Sequence, residues 1–526
     1  MTLGLLALVT LAASCSSLPS SSITSEEPIE VPAKYRTYYQ ILVYAYADSN
    51  GDGIGDFKGI ADKLPYLSNL GINGLWLSPV QPASSYHGYD VINYYGIRST
   101  YEVNGYTFEN LISDAAALDI AIIMDLVINH SGRDHNWFVT GLGAFKNNVA
   151  SKYKTWYNFS TTYSTKYSSG SSGGYYEALF WDGMPDFNFD NAEVRAEMIN
   201  IGKYWLAKGV AGFRLDAAMH IFTDYTITDK WNGDIYDKNV AWWQEFQASL
   251  AEEYPEVYLV GEMWTNIEKI KRYYASNLDS AFNFDTRARI VNAIVGTGGF
   301  STFLEDFQEG IREYQSDGIE AYFVSNHDDG RITNQISHDY HLKMAASLQL
   351  LAPGNGFVYY GDEIGLKGGG GSGDGVYRTP MLWGDGTNPN PASYGIGGQY
   401  SSSTYNYQNA TVQQTSATSV FSHYKRILEL KNTHRELYMG ALKAVNTGAN
   451  KIQAYTVTLG GKTLLVVHNL DDENAYTAST SDVAEYLGGV ATGEGTPGYA
   501  DGTVQVPSLA SAIYLLKPGK TSTDLS

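Results

Sequence analysis

Three stretches far apart in the chain each carry a carboxylate beside a cation or an aromatic run: Gly212-Phe213-Arg214-Leu215-Asp216, Val260-Gly261-Glu262-Met263-Trp264 and Ser325-Asn326-His327-Asp328. Alternate residues of a strand share a face, so Arg214 and Asp216 point the same way and the guanidinium favours an ionised Asp216. Read alone, that pair suits an ordinary structural ion pair as well as it suits a nucleophile. Glu262 borders an apolar and aromatic run, which makes it the better placed of the two to hold a proton. An ionised carboxylate facing a protonated one, roughly 5–5.5 Å apart, is the equipment for cleaving a glycosidic bond with retention. Gathering such carboxylates with histidines and an arginine in one interior is costly unless a function selects for it.

The elements that must position these groups follow a regular rhythm. Apolar runs at Tyr38–Tyr46, Gly74–Leu77, Ile120–Ile128, Gly212–Leu215, Val257–Glu262, Ala281–Phe284, Ala321–Val324 and Gly356–Tyr360 read as buried strands. Helical stripes stand between them, as in Ile60/Leu64/Leu67 and Leu111/Ala115/Leu118. Val194, Met198, Ile201 and Trp205 form another, capped by Asp190-Asn191 and closed by Gly209. Eight strand–helix units predict an α/β chain with a (β/α)₈ barrel, whose strand ends converge on one face. That face would collect His130, Asp216, Glu262, His327 and Asp328, with His87 and Tyr89 from the loop after the second strand. Residues 133–189 are rich in Tyr, Ser, Gly and Asn and too long for a simple connection, so they predict a subdomain inserted after the third strand. From about Leu442 the period becomes two, through Ile452–Val457, Thr463–Asn469 and Ala510–Leu516. The expected plan is a barrel over 36–132 and 190–440, an insert over 133–189, and a C-terminal antiparallel β-sandwich over 441–526.

The formal net charge of −21 argues against nucleic acid and anionic membrane surfaces as partners. The 42 tyrosines suit stacking on sugars, and equally suit ordinary interfaces. Cys15 is the only cysteine, so no intrachain disulfide forms. It follows an apolar leader, residues 1–14, and Leu11-Ala12-Ala13-Ser14-Cys15 resembles a bacterial lipobox. The expectation is an exported, lipid-anchored monomer with a Ser/Pro/Glu-rich tether through residue 35. The alternative is a conventionally cleaved leader and a secreted or periplasmic protein. In Asp48-Ser49-Asn50-Gly51-Asp52-Gly53-Ile54-Gly55-Asp56, oxygen side chains alternate with glycines, as a loop around a hard cation such as calcium requires.

Together these motifs resemble the α-amylase family of glycoside hydrolases. Asp125-Leu126-Val127-Ile128-Asn129-His130, Gly212–Asp216, Gly261-Glu262 and Asn326-His327-Asp328 stand in that family's order, and the Asp48–Asp56 and Met184-Pro185-Asp186-Phe187-Asn188 runs also match family segments. The resemblance extends from about Tyr38 to the end. It implies Asp216 as nucleophile, Glu262 as general acid/base and Asp328 as the carboxylate that holds sugar hydroxyls. It implies that Arg214, His130, His327 and Tyr89 surround the sugar on the non-reducing side, with Arg378 as a further arginine there, and that His220 lines the site of the leaving sugar; His87, from the same loop as Tyr89, is a further substrate-binding candidate. It also implies calcium ligands at Asp48, Asn50, Asp52, the Ile54 carbonyl and Asp56, or a second calcium site using Asn129. Tyr86 stands where α-glucosidases of the family carry Asp, which points to an endo-acting α-amylase on starch-like α-glucans. Met219 replaces a common Lys, and the Met184–Asn188 run resembles members that act on α-1,6 bonds or cyclodextrins. A cyclodextrin- or pullulan-degrading hydrolase, or a maltooligosaccharide transglycosylase, therefore stands as the alternative. A non-catalytic glucan-binding protein is more remote, because all three carboxylates are present.

Overall fold

Eight short apolar strands close into a parallel barrel in the computed structural model, which describes residues 31–171, 173–369, 373–394 and 408–526. They are β1 (Tyr38–Ile41), β2 (Gly74–Leu77), β3 (Ala121–Leu126), β4 (Gly212–Leu215), β5 (Tyr258–Gly261), β6 (Ser280–Asn283), β7 (Ala321–Phe323) and β8 (Asn355–Tyr359). Each pairs with its sequence neighbours, and β1 closes on β8 with Tyr38 opposite Phe357. The leader, the tether up to residue 30 and Cys15 lie outside the described residues.

The barrel interior is an aromatic plug. Tyr38 stacks on Tyr258 at 5.2 Å and on Phe357 at 5.0 Å, and Trp76 stacks on Phe282 at 5.2 Å. Burying rings of this size contributes about 1.5–3 kcal/mol each. Gly74 is required opposite Tyr38, because a Cβ there would lie 2.6 Å from the tyrosine ring. The first strand is shorter than its apolar run predicts. It stops at Ile41, and Val43–Ala45 turn into a 3₁₀ segment that stays buried under the loops.

Helices cover the barrel where the stripes predict them. Asp56 caps the helix Phe57–Leu70 by accepting from the Gly59 amide. Asn191 caps Ala192–Ala207, and Val194, Met198, Ile201 and Trp205 are all 0% exposed on its inner face. The insert carries a helix, Asn136–Lys146, and a small antiparallel sheet of Phe159–Ser160, Gly174–Tyr176 and Ser169–Ser171. It is pinned to the barrel mouth by the β-bridge His130–Asp186 and by the Phe187 amide donating to the Asn129 carbonyl at 3.0 Å, while the bridge Tyr157–Phe187 closes the insert on itself.

The C-terminal region forms β9 (Ala441–Ala444), β10 (Ile452–Leu459), β11 (Lys462–Asn469), β12 (Tyr476–Ser479), β13 (Val483–Ala491), β14 (Gly498–Ala500), β15 (Thr503–Val506) and β16 (Ala510–Leu516). These make a five-stranded sheet in the order β9-β10-β11-β16-β13 and a three-stranded sheet in the order β12-β15-β14. Alternation along β11 divides two cores. Leu464 and Val466 join the barrel core, while Leu465 and Val467 face the core shared with Val504 and Val506. The change of period near 441 therefore marks a new architecture without a break in packing, and residues 31–526 form one compact unit.

Candidate active site

The strand ends deliver their polar groups to one cleft of about 610 Å³, lined by His87, Tyr89, His130, Asp216, His220, Glu262, Asp328 and Arg378 among others. At its floor, Arg214 on β4 is 1% exposed and reaches three carboxylates. Its Nη1 donates to Asp125 at 2.5 Å and to Asp216 at 2.6 Å, and its Nη2 lies 2.6 Å from Glu262 Oε1. The other Glu262 oxygen accepts from the Ala217 amide at 3.0 Å. Ala217 has φ 49° and ψ 38°, a left-handed conformation that costs a non-glycine residue about 1–2 kcal/mol. Strain of this kind is characteristic of backbone held in place by a functional site.

Sharing one cation changes the electrostatics expected from the sequence. Burial raises Asp216 well above the ordinary carboxylate range. Arg214 opposes that shift, and the carboxylates of Glu262, Asp125 and Asp328 reinforce it. The expectation that Arg214 keeps Asp216 ionised is corrected in one respect: the guanidinium is divided among Asp125, Asp216 and Glu262, so it opposes the upward shift of Asp216 without cancelling it. Asp125 was legible as a polar residue on β3, but its grip on Arg214 comes only from the fold.

Asp328 is the opposite case. Burial works against its charge, but His327, Arg378 and Arg214 outweigh it and hold the carboxyl well below its usual range. Arg378 donates to Asp328 at 2.7 Å, to the His327 carbonyl at 3.0 Å and to the Tyr86 hydroxyl at 3.1 Å. His327 Nε2 lies 2.9 Å from Asp328 Oδ2. Its ring is parallel to Tyr89 at 5.2 Å, so one face of Tyr89 is already covered. Arg214 and His327 lie beneath the lining, 1% and 0% exposed. Burial lowers His87 to about 3 and His130 and His220 to about 4, so these rings are neutral at neutral pH.

One side of the cleft is aromatic, and no sequence motif marks most of that side. Phe180 comes from the insert, Trp231 from the loop after β4 and Trp264 from the loop after β5, and they are 40%, 46% and 54% exposed. Phe180 and Trp231 flank His220 edge-on, each ring centre 5.9 Å away. Exposed aromatics in loops above a rigid barrel were the available signal.

The acidic loop Asp48–Asp56 folds on itself. Asp48 accepts from the amides of Asn50, Gly51 and Gly53, and Asp52 accepts from the Asn50 side chain and the Ile54 amide. Asp56 faces Ser49 and caps its helix. Burial raises Asp56, hydrogen bonds from Gly59 and Ser49 oppose the shift, and Asp48 adds to it. Among the described residues, no group of three or more His, Cys, Asp or Glu side chains converges as a metal cluster. A second acidic place lies where insert meets barrel, beside a cavity of about 70 Å³ lined by Glu177, Asp186 and His220. Burial raises both acids, and Asp186 Oδ1 is buried without a hydrogen-bond partner. Asn129 is adjacent, its amide donating to the His220 carbonyl at 2.7 Å.

Residues 40–440 match the model of the alpha amylase catalytic domain. The chain belongs to the α-amylase family of glycoside hydrolases. It is 39% identical to alpha-amylase 3 of Dictyoglomus thermophilum over 444 residues, covering 83% of this chain and 85% of that one. It is 26% identical to a 4-alpha-glucanotransferase of Thermotoga neapolitana over 453 residues, 82% and 95% of the two chains. Among solved structures, Eubacterium rectale Amy13B superposes with a TM-score of 0.83 at 29% identity, covering 93% of this chain and 96% of that one. In this α-amylase-family enzyme Asp125 and Arg214 stand on barrel strands, Asp216 and Glu262 directly follow strand ends, and Phe180, Trp231 and Trp264 stand on loops.

Proposed function

We propose that this enzyme is a retaining, endo-acting α-amylase that hydrolyses α-1,4 bonds in starch-like glucans and maltooligosaccharides. The observation that carries the reading is Arg214 bridging Asp216 and Glu262 at the floor of the cleft. Two carboxyls on one planar cation suit the roughly 5–5.5 Å spacing of a retaining pair. Asp216 attacks the anomeric carbon while Glu262 gives its proton to the departing oxygen. Glu262 then takes a proton from water, which attacks the same carbon and releases Asp216. The acid role requires a proton on Glu262 in the reacting state, and the nucleophile role an ionised Asp216. Asp328, kept ionised, accepts from sugar hydroxyls and favours the distorted ring. The open face of Tyr89 stacks on that sugar, His87, His130 and Arg378 bind around it, and His220 meets the leaving sugar.

Transfer to a sugar acceptor instead of water is the second reading, favoured by Phe180, Trp231 and Trp264 beside the departing group. Product patterns on amylose, β-cyclodextrin, pullulan and defined maltooligosaccharides decide between them. Endo hydrolysis predicts rapid loss of iodine staining with little reducing sugar. Products longer than the substrate support transfer, and glucose alone from chain ends contradicts both.

Calcium belongs to the same proposal as a structural ion. Asp48, Asn50, Asp52, the Ile54 carbonyl and Asp56 would hold it in the loop, where the acids have backbone amides but no ion-pair partner among the described residues. Asn129, Glu177, Asp186 and the His220 carbonyl offer a second place, on the strength of the orphaned Asp186 oxygen. Such an ion would fix loop geometry and leave bond cleavage to the carboxylates. A lipid anchor at Cys15 would keep products near the cell, and absence of palmitate label would remove it.

A further inference from the structure

We infer that Gln40, on β1, is a positioning residue that fixes the proton of His327 on Nε2 and thereby orients Asp328. The inference rests on the roles proposed above for His327 and Asp328. Gln40 follows Tyr38 on the inner face of β1, in register with Trp76 on β2 and Tyr359 on β8, and is 1% exposed. A buried amide left without a partner is costly. Its Nε2 lies 2.7 Å from His327 Nδ1. An amide nitrogen only donates, so Nδ1 must accept, and the neutral ring carries its proton on Nε2. That proton faces Asp328 Oδ2 at 2.9 Å and the Tyr89 oxygen at 2.5 Å. Tyr89 in turn donates to Asp125 at 3.0 Å, and Asp125 accepts from Arg214. Every donor in this series points from β1 toward the carboxylates. Trp76, edge-on to His327 at 5.9 Å, and Tyr89, parallel to it, leave the ring little room to rotate. The amide therefore selects the tautomer of a ring whose position packing has already set.

Gln40→Glu keeps the shape and removes the donor. Its carboxylate accepts only, so it draws a proton onto Nδ1 and disturbs the Nε2–H bond to Asp328. Long-range ¹H–¹⁵N spectra of the full-length enzyme labelled at histidine nitrogens, with His327 assigned through His327→Gln, read this directly. The expected result is an Nε2–H tautomer in the wild type, protonation at Nδ1 in Gln40→Glu, and a kcat lower by about 10–100-fold, the range found when a partner behind a working ligand is lost. KM should change less than kcat, and Gln40→Met should leave the tautomer unselected. Nδ1–H in the wild type overturns the inference, whether or not any variant folds. So does lost turnover in Gln40→Glu with the tautomer unchanged, which would make Gln40 merely structural. The spectrum does not depend on turnover, so a failure here is distinct from a failure of the proposed hydrolytic roles.

Discussion

The carboxylates around Arg214 and those of the Asp48–Asp56 loop are equally dense in acid, and the fold treats them in opposite ways. Asp125, Asp216 and Glu262 come from three strands and converge on one buried guanidinium. Asp48, Asp52 and Asp56 are neighbours in sequence and turn onto their own backbone amides. Local spacing satisfies acids one at a time. Only strand ends brought together by a closed barrel set several carboxylates in competition for one cation, and that competition is what catalysis uses.

The largest effects should come from breaking the convergent group. Asp216→Asn should lower kcat by about 10⁴-fold, and Glu262→Gln by about 10²–10⁴-fold while maltooligosaccharide binding persists. Rates and calorimetric affinities measured together check both, and unchanged turnover in Glu262→Gln would remove it from the acid role. Asp125→Asn should cost about 10–100-fold in kcat, because Arg214 loses one of the carboxylates that hold it. In the loop the outcome should invert. Asp48→Asn should leave kcat/KM within about twofold but lower stability by about 1–3 kcal/mol, as three amides lose a charged acceptor. Thermal unfolding with and without chelator and added calcium, compared in Asp48→Ala and Asp186→Ala, shows which acidic place holds an ion.

The pH profile sharpens the same contrast. Asp216 holds its proton above the ordinary carboxylate range, first through burial and then through the carboxylates of Glu262, Asp125 and Asp328. Activity should therefore rise with pH through a range higher than an ordinary aspartate would give, as the pair sheds its first proton. It should fall again when the remaining proton leaves. Asp328 stays ionised throughout, and His87 near 3 stays neutral above about pH 5. His87→Asn should thus raise KM and leave both limbs in place, the smallest change of the series.

Much of this was legible in the sequence. The strand runs, the capped stripe Val194–Trp205 and the order of the carboxylate motifs gave the barrel and the cleft, because apolar periodicity and strand-end position are local properties. The proton balance was not legible. Its third carboxylate, Asp125, stands 89 residues before Arg214, and nothing in either segment announces the contact. The apolar run after Ile41 read as strand, but burial comes from loops there as well as from the sheet. Phe180, Trp231 and Trp264 arrive from three loops whose meeting depends on the insert, so no spacing encodes them. Nothing in the run Tyr38–Tyr46 singles out Gln40; only the fold sets it against His327.

The central claim is double displacement through Asp216, and the anomer released first tests it most directly. Proton NMR during the opening minutes of maltooligosaccharide cleavage should show the α-anomer accumulating ahead of mutarotation. Initial release of the β-anomer would contradict it.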